Sequence, residues 1–145
     1  MLLRLQKKTE QDIFNENAHL LHSEIIPYSE WCSLISANDT DEKHFLIRKG
    51  AVPCGYLKIN GLEDGNDGWI SILAVASAFQ RKGIGKYAVS YAESFFKKQG
   101  KLCVKIHTTT DNYPARKLYE KCGYLLCNST NTYTAKDKLT YFKQI

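Results

Sequence analysis

The sequence predicts a single α/β domain, a sheet with helices packed on it, in the element order β-αα-β-β-β-α-β-α-β-β. Three observations carry this. The run "WISILAVA" at 69–76 is near-continuously apolar, as a strand covered on both faces must be. From Gly83 onward, Ile84, Ala88, Tyr91, Ala92 and Phe95 recur at helical spacing. The chain has 145 residues, 43% hydrophobic and 24% charged, which fits one globular domain able to bury a core without disulfide staples.

Each element follows from local chemistry. Residues 2–8 alternate well enough for a first strand. Thr9, with Asp12 three residues on, fits the N-cap of a helical stretch over 10–36, in two pieces divided near Pro27. A polar turn at 37–43 leads to two strands, "HFLIRKG" (44–50) and "CGYLKIN" (54–60), joined around Gly50 and Pro53. "GLEDGNDG" (61–68) is dense in turn formers and precedes the apolar strand. The helix from Gly83 carries Lys97 and Lys98 at its negative end and stops at Gly100. "KLCVKIHT" (101–108) reads as a strand with Leu102, Val104 and Ile106 on one face. In "DNYPARKLYEKCG" (111–123), Asn112 caps a short helix and Pro114 sits in its first turn. Ala115, Leu118, Tyr119 and Cys122 share a side, and Gly123 ends it. "YLLCNS" (124–129) and "KLTYFKQI" (138–145) are the last strands.

No run approaches the ~18 apolar residues of a membrane span. The start is charged by Arg4 and has no apolar signal region, so a cytoplasmic protein with no membrane partner is expected. Cys32, Cys54, Cys103, Cys122 and Cys127 form no CxxC pair and are odd in number, which fits free thiols in a reducing compartment. The net charge of +5 suits an anionic ligand or acidic partner. Its lysines are scattered, which gives little support for a nucleic-acid partner. His19 and His22 stand three apart on a helical stretch without a third ligand in view, and "DGNDG" lacks the glycine and glutamate of a calcium loop, so no metal is expected.

The informative stretch is "FQRKGIGK". Two glycines open a long helix directly after a basic loop. A helix start offers backbone N–H groups without partners and the positive end of the dipole, and glycine lets an anion come close. Gln80, Arg81, Lys82 and Lys86 add donors and charge, so the residues themselves predict a phosphate site; a solvated glycine turn is the bland alternative. A Walker A loop fails, because Tyr87 follows Lys86 and Gln80 stands where the first glycine belongs. A dinucleotide fingerprint fits Gly83, Gly85 and Ala88, but residues 77–82 separate these glycines from the strand that should precede them immediately.

"LAV", a loop and "QRKGIGK" together resemble the acetyl-CoA signature Q/R-x-x-G-x-G/A of the GNAT superfamily of N-acetyltransferases, with Gln80, Gly83 and Gly85 in the defined places. Further on, "NYPARKLYEKCGY" resembles that family's second signature through Asn112, Ala115, Leu118, Tyr119, Lys121, Gly123 and Tyr124. The resemblance implies a mixed, mostly antiparallel central sheet of six or seven strands with helices on both faces, in one domain over 1–145. It implies an acetyl-CoA-dependent enzyme in which an amine attacks the thioester directly. The backbone of Leu73, Ala74 and Val75 would pair with the pantetheine arm, and the N–H groups of Arg81, Lys82, Gly83, Ile84, Gly85 and Lys86 would hold the pyrophosphate. Asn112, also a helix cap, and Ala115 would border the arm. The Val75 N–H would meet the oxyanion. Tyr119 would protonate the departing thiolate, its alternative being a core aromatic with a satisfied hydroxyl.

The chain departs from the family in one respect. Many members carry a glutamate on the central strand, where this sequence has Trp69, Ile70, Ser71 and Ile72. Glu63, Asp64 and Asp67 read as solvated turn residues, so the amine's proton is expected to leave through ordered water, relayed by a backbone carbonyl or by His107. The acceptor is a small-molecule or peptide amine, with Glu24, Tyr28, Glu30, Trp31 and the loop 128–138 as candidate walls. The oligomer is a monomer or homodimer. The alternative function is a CoA-binding sensor or scaffold that has lost turnover.

Overall fold

The computed structural model describes residues 3–7, 41–50, 52–127 and 138–145. Among them seven strands form one sheet: β1 (Leu3–Lys7), β2 (Lys43–Lys49), β3 (Val52–Asn60), β4 (Asp67–Val75), β5 (Cys103–Thr109), β6 (Leu125–Leu126) and β7 (Lys138–Gln144). Their spatial order is β1-β2-β3-β4-β5-β7-β6. Every neighbouring pair is antiparallel except β4 and β5. Those two are parallel because helix α1 (Ile84–Lys98) carries the chain back across the sheet between them. Helix α2 (Tyr113–Lys121) follows β5. The mixed, mostly antiparallel sheet is as expected. The helices expected over 10–36, with the Thr9 cap, lie outside the described residues.

The β2–β3 hairpin turns in two residues, since Lys49 pairs with Val52, and Gly50 takes φ 63° there. α1 buries Ile84, Ala88, Val89, Ala92 and Phe96 against Phe45, Ile47, Leu57, Ile59, Ile70, Val104 and Ile106 of the sheet. The expected stripe is rotated by one position at its C-terminal end. Phe96 is fully buried, while Phe95 and Tyr91 flank the seam and meet Phe45 edge-on at 5.7 and 5.2 Å. The reason lies in Gly68. A Cβ there would stand 2.3 Å from the Phe96 ring, so a residue that reads as a turn former is the strand floor on which the ring rests. Burying such a ring is worth about 1.5–3 kcal/mol.

Both helices stop in the same way. Gly100 and Gly123 take φ 80° and 89°. The next residue reaches back over the last turn, Lys101 N–H to Phe96 O and Tyr124 N–H to Tyr119 O, each with the inner bond of a Schellman motif. One sequence expectation is corrected here. Leu102 does not share the face of Val104 and Ile106; β5 begins at Cys103, and Leu102 belongs to the exposed turn that closes α1. Its neighbour Lys101 is the buried one, its Nζ donating to the carbonyls of Asp64 and Gly65 at 3.2 and 2.9 Å. Cys54, Cys103, Cys122 and Cys127 are free thiols.

Candidate active site

The site begins where the sheet stops pairing. Along β4, Ile70 lies opposite Ile59 and Ile72 opposite Lys58, so Ser71 has no counterpart on β3. This is a β-bulge, which bends a strand and sharpens its twist. β4 stays with β3 up to Val75, opposite Gly55, but its pairing with β5 ends at Ile70–Ile106. Beyond that point β5 pairs only with β7, through His107–Thr140, Thr108–Leu139 and Thr109–Lys138. A cavity of about 300 Å³ lies in the parting, walled by β4 from Ser71 to Ala74, by β5 from His107 to Thr109, and by Asn112 and Tyr119.

Backbone direction follows from the register. Ala76 N–H donates to Cys54 O at 2.8 Å, which makes Val75–Gly55 a pair without mutual hydrogen bonds. The N–H and C=O of Val75, and by the period of two those of Leu73, therefore point away from β3 into the parting. The Val75 carbonyl accepts from Gln80 Nε2 at 3.0 Å, so the first residue of the glycine motif ties its loop to the end of β4.

That loop leads into α1 with its backbone curled. Arg81 and Gly83 have φ 61° and 82°, alternating with residues of negative φ, which is the form of an anion-binding nest. Gly83 caps α1, and Tyr87 N–H makes the first helical bond to its carbonyl at 3.0 Å. The amides before Tyr87 are the open ones of a helix start. Arg81, Lys82 and Lys86 are exposed around them. The two glycines differ in role. Gly83 supplies the left-handed φ and has open space where a Cβ would sit. A Cβ on Gly85 would meet Leu118 Cδ2 at 2.9 Å, so its bareness lets α1 approach α2. The side chain of Ile84 is buried in the core, which leaves only its backbone for a ligand.

On the opposite wall, the Asn112 side chain accepts from Ala115 N–H at 3.3 Å and so caps α2, as its sequence position requires. Ala115 packs toward the core rather than lining the cavity. Tyr119 is buried, with Tyr141 and Tyr124 rings at 5.8 and 6.3 Å, and desolvation pushes its hydroxyl up to about 12. The Tyr141 hydroxyl donates to Glu120 at 3.0 Å and accepts from Arg116 Nε at 3.2 Å. Arg116 also donates to Thr110 O at 2.9 Å, which braces the turn carrying Asn112.

A model of the acetyltransferase (GNAT) family matches residues 5–124. The chain belongs to that family. No curated protein matches it. Solved structures share the fold at low identity. One is the IAA acetyltransferase from Bacillus cereus, at 16% identity and TM-score 0.78 over 99% of this chain and 100% of that one. Another is an alanine N-acetyltransferase for a ribosomal protein from Escherichia coli, at 15% and 0.81 over 99% and 94%. A third is the PaiA N-acetyltransferase from Thermoplasma acidophilum in complex with coenzyme A, at 17% and 0.71 over 100% of both chains.

Within this GNAT fold the site differs from what the sequence makes visible. No carboxylate among the described residues lines the cavity. Asp67 pairs with Lys105 at 2.8 Å, and Glu63 and Asp64 stay in the turn before β4, where Asp41 accepts from the Glu63 N–H at 2.7 Å. Ser71 bonds Asn60 across the bulge. His107, by contrast, lines the cavity, with its ring 4.5 Å from that of Trp69. Nothing in the sequence pairs Trp69 with His107; the parallel β4–β5 register does, by setting Trp69 beside Lys105 two residues from His107. Among the described residues no three His, Cys, Asp or Glu gather as a metal site, and no helix is long and apolar enough to cross a membrane. His19, His22, the candidate acceptor walls from Glu24 to Trp31, and residues 128–137 lie outside the described residues.

Proposed function

We propose that this GNAT protein transfers the acetyl group of acetyl-CoA to a primary amine by direct attack of the amine on the thioester. The observation that carries the reading is the parting of β4 and β5 with the Leu73 and Val75 backbone groups aimed into it. An extended arm bearing amides can lie there as an added strand, held by main-chain bonds on β4. Pantetheine is such an arm. Its pyrophosphate would reach the curled loop Gln80 to Lys86, where open amides, the α1 dipole and three cationic side chains favour negative charge. Asn112, which lines the cavity, would border the arm from α2.

With the arm so placed, the acetyl carbon lies in the cavity. The Val75 N–H, turned away from β3, would stabilise the oxyanion as the amine adds. Tyr119, held protonated by burial, would donate to the sulfur as it takes up charge. The acceptor would be a small-molecule or peptide amine, entering from the side opposite the cofactor.

The test is thiol release from acetyl-CoA across a broad panel of amines, with calorimetric titration of acetyl-CoA alongside. Saturable binding and amine-dependent release are expected. Binding without release for any amine would make the chain a CoA-binding module, and absence of binding would remove the cofactor assignment.

A further inference from the structure

Among the described residues, two titratable side chains line the cavity: Tyr119 from α2 and His107 from β5. The reaction proposed above needs one proton delivered to sulfur and one removed from nitrogen. We propose that His107 accepts the proton that the attacking amine sheds, opposite Tyr119, an assignment that rests on the acetyl-transfer reading.

The ring is held for that task. Its Nδ1 stands 2.9 Å from Thr140 Oγ1, the residue paired with it on β7. Trp69 packs against it at 4.5 Å with 35° between the planes. In the tautomer whose Nδ1–H donates to Thr140 Oγ1, Nε2 keeps its lone pair, and that tautomer is the one the proposal requires. A base oriented by a third group is the usual arrangement of an acid–base pair.

Electrostatics separates the two groups. The His107 ring is exposed yet partly desolvated by its neighbours, and that desolvation, then the cations of Lys138 on β7 and Lys105 on β5, lower the imidazole from its ordinary value against the opposing effect of the Leu139 backbone. The Asp67 carboxylate of β4 is tied to Lys105 at 2.8 Å, and Tyr119 across the cavity is neutral. At neutral pH the histidine is therefore an acceptor and the tyrosine a donor. Environments that push two titratable groups apart assign base and acid.

The step balances. The neutral amine nitrogen bonds to the acetyl carbon, and the adduct nitrogen, now cationic, passes a proton to the free ring nitrogen of His107. The C–S bond breaks with its electron pair on sulfur, which accepts a hydrogen bond from the Tyr119 hydroxyl. The imidazolium then gives its proton to solvent and the thiolate takes one from solvent, leaving amide and thiol. A base below 6.5 cannot strip a free ammonium near ~10.4, so the amine must arrive neutral. Two ascending limbs in pH follow, one through His107 and one toward the amine.

The experiment measures kcat/KM for thiol release from about pH 5 to 10, with an amine from the panel, for wild type, His107→Gln and His107→Ala. Acetyl-CoA affinity is measured by calorimetry for each. Wild type should rise with a slope of about two below the His107 pKa and about one above it. His107→Gln should bind acetyl-CoA like wild type, lose turnover on the order of 10²–10⁴, and keep only the amine limb. Added imidazole should restore part of the His107→Ala rate, and this decides the matter if the glutamine variant folds poorly. A His107→Gln enzyme within about threefold of wild type and with its profile overturns the proposal, as does His107→Ala that binds acetyl-CoA yet ignores imidazole. Wild type inert toward every amine removes the transferase reading itself; an active wild type with unaltered variants removes only His107.

Discussion

Replacing Tyr119 by Phe takes one hydroxyl from the cavity wall and leaves the buried ring in place against Tyr141 and Tyr124. Burial raises that hydroxyl to about 12. A free thiol ionises near ~8.5, so complete proton transfer from Tyr119 to a thiolate runs uphill by about 3.5 units, or ~5 kcal/mol. Tyr119 should therefore act chiefly as a hydrogen-bond donor to sulfur as charge develops. A hydrogen bond to a charged group is worth about 1.5–3 kcal/mol, which predicts a loss of roughly 10- to 150-fold in the chemical step. Single-turnover thiol release at saturating acetyl-CoA reads that step, and calorimetry should find the affinity unchanged. An unaltered single-turnover rate would remove Tyr119 from the mechanism. A loss beyond about 10³-fold would mean that the proton moves completely, in conflict with so weak an acid. Stability supplies a second check. The folded value lies above the unfolded ~10, so the associated stabilisation is full below that pH and lost as pH rises through about 12. Tyr119→Phe should unfold at higher alkaline pH than wild type.

Three further outcomes are expected. Gly83→Ala must hold alanine at φ 82°, costing about 1–2 kcal/mol, and should weaken acetyl-CoA binding about tenfold by tilting the first amides of α1. Gly85→Ala, which presses only on the mobile end of Leu118, should weaken it less; wild-type affinity in Gly83→Ala would contradict the phosphate assignment. Gly68→Ala drives a Cβ into the buried Phe96 ring and should cost about 1–3 kcal/mol, a fall in Tm of several degrees, and an unchanged Tm would deny that contact. The amide variants of Glu63, Asp64 and Asp67 should each lose less than about tenfold in kcat/KM, because none lines the cavity, and a hundredfold loss in one would show that a turn carboxylate reaches the amine.

The sequence discloses what is encoded locally. Asn112 and Pro114 at the start of α2, Gly100 and Gly123 at the helix ends, and the basic glycine loop before α1 act within a turn of where they stand, so their residue types name their tasks. What is encoded by contact between distant residues is not visible in that way. Gly68 reads as a turn former until Phe96, 28 positions on, is seen resting on it. Gly85 reads as bare backbone for an anion until Leu118 fills the space beside it. His107 reads as a strand-end histidine until β7 supplies Thr140 and β4 supplies Trp69.

The bulge at Ser71 is the extreme case, because the feature that makes β4 legible also conceals it. In a strand that alternates polar and apolar residues, an extra residue breaks the alternation and betrays itself. β4 is apolar at Ile70, Ile72, Leu73, Ala74 and Val75, so a slip of face leaves no trace. Yet the register shows one: Ile70 and Leu73, three apart, sit opposite Ile59 and Leu57 and face the same core, while Ile72 and Ala74 sit opposite Lys58 and Tyr56 on the other side. The slip coincides with the last β4–β5 pair, Ile70–Ile106. One additional residue thus opens the cavity, turns the Leu73 and Val75 backbone groups away from β3, with the Val75 carbonyl taken by Gln80, and puts His107 and Tyr119 on a common space. A strand that is apolar on both faces can bear that break because its side chains pack in either orientation, so the apolar run is what permits the site as well as what hides it.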